Sequence, residues 1–144
     1  MKVEILNICD YASADASGKL NIIGVFNGIW AREKPIVYGL CALVIRIRFD
    51  KVEEGTKKIK IAFVDADGTP VMPVIETQLQ IRFVPWEPTA SAQLVSLISQ
   101  LRFPNFGEYS IDLAVDGRQE SSTPFYVHQA SILPPHLQPQ LPLP

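Results

Sequence analysis

Histidine, cysteine and excess charge are all scarce in this 144-residue chain, and each scarcity closes off a class of function. With only two histidines, His128 and His136, there is little from which to build a Ser-His-Asp site, and no Gly-x-Ser-x-Gly elbow accompanies them. The two cysteines, Cys9 and Cys41, lack metal-ligand spacing and are expected to be reduced core residues. Thirteen Lys and Arg against fifteen Asp and Glu leave a net charge of -2, so no global field draws the chain to nucleic acid or an acidic membrane. No uncharged apolar run approaches the ~18 residues of a membrane span. Near the start, Glu4, Asn7 and Asp10 interrupt the apolar stretch a secretory signal needs, and Ile8 is not the small residue of a lipoprotein box. The chain is therefore expected to be cytoplasmic and non-enzymatic, without cofactor, catalytic site or bound metal.

What the sequence does have is alternation. Hydrophobic residues make up 47% and charged residues 19%, a balance that folds. Cys41, Leu43, Ile45, Ile47 and Phe49 alternate with Ala42, Val44, Arg46 and Arg48, the pattern of a half-buried strand over 38–49. A second alternating run, 57–65, carries Ile59, Ile61 and Phe63 on one face and Lys58, Lys60 and Ala62 on the other. Joined by a charged turn, the two read as a hairpin with Ile47 opposite Ile59 and Ile45 opposite Ile61. Leu43, Ile45, Ile47, Ile61, Phe63, Leu79, Ile81, Ile111, Leu113 and Val115 form the expected core.

Six further strands are expected over 2–9, 19–31, 74–83, 93–101, 108–116 and 122–129, about eight in all. Their separators carry Asp-Gly turn chemistry, as in Asp15-Ala16-Ser17-Gly18 and Asp65-Ala66-Asp67-Gly68. This makes Ser17-Gly18-Lys19 a hairpin turn and not a phosphate loop, and Asp65 with Asp67 a turn in preference to a calcium site. Over 93–101, Leu94, Leu97, Ile98 and Leu101 recur at helical spacing; strand is preferred, with helix the alternative. Residues 1–129 then form an all-β, two-sheet sandwich domain, and 130–144, with five of the twelve prolines and no charged side chain, a proline-rich extended tail.

The segment Phe103-Pro104-Asn105-Phe106-Gly107-Glu108-Tyr109-Ser110-Ile111-Asp112-Leu113-Ala114-Val115-Asp116-Gly117 resembles the sixth and seventh strand region of immunoglobulin-like domains, where such a tyrosine makes a corner hydrogen bond. Together with Gly18-Lys19-Leu20-Asn21-Ile22-Ile23-Gly24-Val25-Phe26 it is also similar to a family of short bacterial proteins of unknown function. That resemblance implies an immunoglobulin-like sandwich of antiparallel strands and implies no activity. Cys9, Trp30 and Cys41 lie too close together for the disulfide and tryptophan of antibody domains.

Two surfaces stand out. In the expected hairpin Arg48 would oppose Lys58 and Arg46 would oppose Lys60, a costly juxtaposition that something anionic should relieve. Asp112 on a neighbouring strand is the internal answer; the alternative is that Arg46, Arg48, Lys58, Lys60 and Arg82 form a shallow stripe for phosphate or nucleic acid, weakened by the lack of interleaved aromatics. Trp86, stiffened between Pro85 and Pro88, either meets a partner or closes one end of the core. Leu133, Leu137 and Leu141 give the tail apolar contacts. The expected function is a protein-interaction module with an unidentified protein partner, or a homodimer through the tail or a sheet edge, with no membrane partner and nucleic acid disfavoured.

Overall fold

A computed structural model describes residues 1–130 and His136. The described residues form nine strands: β1 (Lys2–Ala14), β2 (Leu20–Phe26), β3 (Gly28–Ala31), β4 (Ile36–Asp50), β5 (Gly55–Val64), β6 (Ile75–Ile81), β7 (Thr89–Phe103), β8 (Gly107–Val115) and β9 (Arg118–Gln129). One sheet runs β2-β1-β4-β7 and the other β3-β9-β8-β5-β6. A β6-β5-β8-β9 sheet facing β1-β4-β7 is the strand order of an immunoglobulin-like sandwich. Tyr109 makes the expected corner bond, its hydroxyl donating to the Asn105 carbonyl at 2.7 Å. Residues 93–101 are strand, inside β7.

The expected hairpin between 38–49 and 57–65 does not form. β4 pairs with β1 and β7, whereas β5 pairs with β6 and β8 in the other sheet. A single 3-10 turn, Lys51–Glu53, carries the chain across, capped by the Asp50 amide donating to Glu53 Oε2 at 2.7 Å. Ile45, Ile47, Ile59 and Ile61 do join one core, but by facing each other from opposite sheets and not by lying side by side in one. Burial satisfies either arrangement equally, which is why matching apolar faces alone selects the wrong one.

Segment 19–31 is also two strands. β2 pairs antiparallel with β1, and after Asn27 the chain crosses to place β3 parallel to β9. The core between the sheets holds Phe49, Phe63, Phe103 and Phe125 fully buried. Of the expected core only Leu79 falls short, half-buried because β6 is the edge of its sheet. Cys9 and Cys41 are free and buried. Burial raises both thiol pKa values, that of Cys41 to about 11.

The two Asp-Gly turns share one geometry. Asp15 Oδ1 accepts from the amides of Ser17 at 2.9 Å and Lys19 at 3.0 Å. Asp65 Oδ1 accepts from those of Asp67 and Thr69, both at 2.9 Å. Each carboxylate organises its own loop.

The first hairpin supplies what alternation does not show. β1 leaves β4 after the Cys9–Ala42 pair and continues with β2 alone. The distal arm lies over the outer face of the four-stranded sheet: Ala12, Leu20 and Ile22 pack with Cys9, Ala42, Val44 and Val95, and Gln93 Nε2 donates to the Gly18 carbonyl. Gly24 serves this course, with φ +70° and no room for a side chain beside the Asp10 carboxylate. The arm accounts for the unbroken burial of Cys41-Ala42-Leu43-Val44-Ile45, of which Ala42 and Val44 belong to the outer face.

Candidate interaction surfaces

The five cations of the proposed stripe are not on one face. Arg46 and Arg48 lie on the outer face of the four-stranded sheet, while Lys58 and Lys60 lie on the opposite exterior of the molecule, and Arg82 follows β6 in an exposed loop. Arg48 therefore does not oppose Lys58, nor Arg46 Lys60. In register Lys60 faces Glu76 and Lys58 faces Gln78.

Glu4, and not Asp112, neutralises the arginines. Its Oε1 lies 3.3 Å from Arg46 Nε and its Oε2 3.0 Å from Arg48 Nη2. Arg46 Nη1 also donates to Gln93 Oε1 at 2.9 Å. Hydrogen bonding to Arg48 holds the Glu4 carboxyl below its usual range. Asp112 sits in the other sheet, where it accepts from Ser110 Oγ at 3.0 Å and Ser122 Oγ at 2.6 Å. Glu4 escapes a simple strand reading because β1 shifts register between Val3 and Ile5.

Trp86 is 78% exposed and does not close the core. It projects from a turn held by the Glu87 amide donating to the Val84 carbonyl at 3.1 Å. Leu133, Leu137 and Leu141 lie outside the described residues.

Exposed apolar side chains flank the folded-back arm. Ile23 (62%) and Val25 (57%) belong to β2, beside Tyr11 of β1; Leu40 (57%) and Leu97 (59%) belong to β4 and β7. Ala42 pairs with Leu97 and Leu40 with Ser99, so Leu40 and Leu97 are diagonal neighbours on one face. Tyr38 of the same strand donates to Asp10 Oδ1 at 3.0 Å, and burial with this contact pushes its phenol up to about 12.

β7 borders this surface. It is 15 residues long, pairs only with β4 among the described residues, and carries no charge from Thr89 to Leu101. An immunoglobulin-like sheet commonly places a further strand there. Among the described residues none does, so one row of backbone donors and acceptors lies open along an uncharged edge. Reading 93–101 as strand in preference to helix gives no hint of its place at the margin.

Residues 4–128 match the description "Family of unknown function (DUF6941)". The chain belongs to this family. Among curated proteins nothing matches. Similar solved structures include the following two. One is the alkylpurine DNA glycosylase AlkC of Pseudomonas fluorescens, bound to DNA containing an abasic site analog, at 11% identity and a TM-score of 0.39 over 85% of this chain and 30% of that one. The family member here thus spans less than a third of the glycosylase. The other is an immunoglobulin-like protein from Pseudomonas aeruginosa, at 16% identity and a TM-score of 0.35 over 84% of this chain and 91% of that one. No helix among the described residues is long and apolar enough to cross a membrane.

Proposed function

We propose that this chain is a non-catalytic cytoplasmic interaction module that takes an extended segment of a protein partner along the open edge of β7. The observation that carries the reading is the edge itself, long, uncharged and unpaired among the described residues, with Leu97 and Leu40 exposed beside it. An added strand gains main-chain hydrogen bonds from such an edge, and neighbouring side chains select its sequence. Natural edges that must stay bare carry Lys, Pro or inward charges. β7 has none of these before Arg102. The anion-binding alternative has less support, because its cations are divided between two faces and both arginines are engaged by Glu4.

The test places a photo-crosslinking residue at position 97 in the full chain, identifies the captured protein, and measures its affinity with purified components. Leu97→Lys should weaken that affinity at least tenfold while the protein stays folded. Affinity indifferent to Leu97→Lys but falling steeply with salt and on Lys58→Ala would instead support the anionic reading.

A further inference from the structure

The folded-back arm leaves a cleft of about 590 Å³ between itself and the sheet it covers. One wall is the arm from Ser17 to Ile22; the other is Ile5 of β1 with Arg46 of β4, which lie opposite each other in register. Ile5, Leu20 and Ile22 are half-buried and pack onto the outer core of Cys9, Ala12, Ala42 and Val44, so this part of the lining is hydrocarbon. The rim is polar, with Ser17, Lys19 and Asn21 exposed. An apolar lining with a few polar groups at one end, in a volume within the roughly 300–1,000 Å³ of small-molecule sites, is the make-up of a ligand pocket.

The polar end is fixed by a network that joins the sheet to the tip of the arm. Arg46 Nε donates to Glu4 Oε1 at 3.3 Å and Nη1 to Gln93 Oε1 at 2.9 Å, while Gln93 Nε2 donates to the Gly18 carbonyl. The guanidinium is held in place by these bonds, and its Nη2 has no protein acceptor among the described residues. Lys19 makes no ion pair among the described residues. Asp15, the acid of the same turn, is directed onto the amides of Ser17 and Lys19. A positioned guanidinium N–H and an ammonium at one end of a hydrocarbon lining complement a carboxylate on an apolar chain. A nucleotide would find no aromatic ring in this lining, and a bare inorganic anion would leave Ile5, Leu20 and Ile22 unused. We propose that the cleft under the arm binds a single-chain organic acid, its carboxylate between Lys19 and Arg46 and its chain along Ile5, Leu20 and Ile22. This inference is independent of the β7 reading.

Titration of the isotope-labelled full chain with monomeric octanoate, octanol and acetate tests it, because the three probes separate chain from head. Octanoate should shift the NMR signals of the Ile5, Leu20 and Ile22 methyls and of the Arg46 side chain, saturably and at least tenfold more tightly than octanol or acetate. Higher salt should narrow its advantage over octanol. Lys19→Gln should bring octanoate close to octanol and leave octanol unchanged. Ile5→Thr, which keeps a β-branched side chain in β1, should weaken octanoate severalfold while the rest of the spectrum stays dispersed. Amide exchange over 17–22 should slow in the octanoate complex, since the ligand joins the arm to the sheet. Equal affinity for octanol and octanoate, or for acetate and octanoate, would overturn the proposal, as would the absence of any saturable shift. Shifts centred on Ile23, Val25, Leu40 and Leu97 would assign the binding to the exposed apolar patch and overturn it too.

Discussion

β4 has a core on each side of it, and the two are closed differently. Below it, Leu43, Ile45, Ile47 and Phe49 are sealed by a whole second sheet through Ile59, Ile61, Phe63, Ile111 and Leu113. Above it, Ala42 and Val44 are sealed only by the folded-back arm of one hairpin, through Ala12, Leu20 and Ile22. All four inner-face residues and both outer ones are almost completely excluded from solvent. Burial per residue is thus alike, while the cover differs in extent and in what anchors it. The lower core is held by every strand of the fold. The upper depends on one local element and ends in exposed Ile23, Val25, Leu40 and Leu97, so it is expected to open at lower cost than the lower core. The candidate interaction surface lies on the thin side.

The core below β4 is the costlier of the two to disrupt. Ile45→Ala should cost about 2–5 kcal/mol in urea unfolding, since the sheets cannot collapse onto the vacated volume. Val44→Ala, one position along and equally buried, should cost about 2 kcal/mol by lost transfer of its methyl groups, part of it relieved as the arm settles. Amide exchange separates the cases further. Ile45→Ala should speed exchange throughout both sheets, and Val44→Ala chiefly over 10–24. Equal and global acceleration in both would mean that the hairpin arm unfolds with the body and the two cores are one cooperative unit.

At the corner, Tyr109→Phe removes a buried hydroxyl that both donates to the Asn105 carbonyl and accepts from its amide. About 1 kcal/mol should be lost, without a change in the slope of unfolding against denaturant. A loss no greater than that of an exposed Tyr→Phe change would show the corner to be decorative.

Glu4 makes the upper face sensitive to pH, because it bridges Arg46 and Arg48 there. Its folded pKa lies below the ordinary 4.5. The sign follows: the favourable contribution is fully present above the unfolded value and disappears as pH falls through the folded one. Wild type should therefore exceed Glu4→Gln in melting temperature at pH 7, and the two should converge below pH 4.5. Raising salt at pH 7 should also narrow the gap, since the pair is partly exposed. A gap unchanged from pH 7 to 3 would contradict an ionic role.

Much of this was legible in the residues and some was not, for identifiable physical reasons. Alternation located the strands around Ile45, Ile61 and Ile111, because a face toward the core is a local property. Whether Ile45 meets Ile61 beside it or across from it is not local, and both satisfy the same pattern. The apparent helical spacing Ile98–Leu101 arises from an irregularity in β7, where Gln100 adopts φ 57° and brings both leucine and isoleucine to the buried side. Cys41-Ala42-Leu43-Val44-Ile45 contains no polar residue, the mark of a strand covered on both faces. For the interaction surface the residues chosen from sequence were scattered, since charge alternation marks exposure without saying which exterior a strand occupies. Trp86 was the one chosen side chain whose prominence depended on its loop alone, and it is prominent.

The smallest expected effect on stability is the most informative about function. Leu97 has its backbone in β7 paired to Ala42, yet its side chain is 59% exposed and contributes little burial. Leu97→Lys replaces that apolar contact with solvent by a flexible stem and a solvated ammonium, so its melting temperature and urea midpoint should match wild type within about 0.5 kcal/mol. Arg46 and Arg48 on the upper face are already held by Glu4, so the added charge meets no unshielded charge in that cluster. A stability loss comparable with that of Val44→Ala would mean that Leu97 is part of the upper core and that the arm extends its cover over the edge. Unchanged stability together with lost binding would separate two roles of this sheet, its inner face and covered centre holding the fold and its margin, unpaired among the described residues, taking the proposed partner.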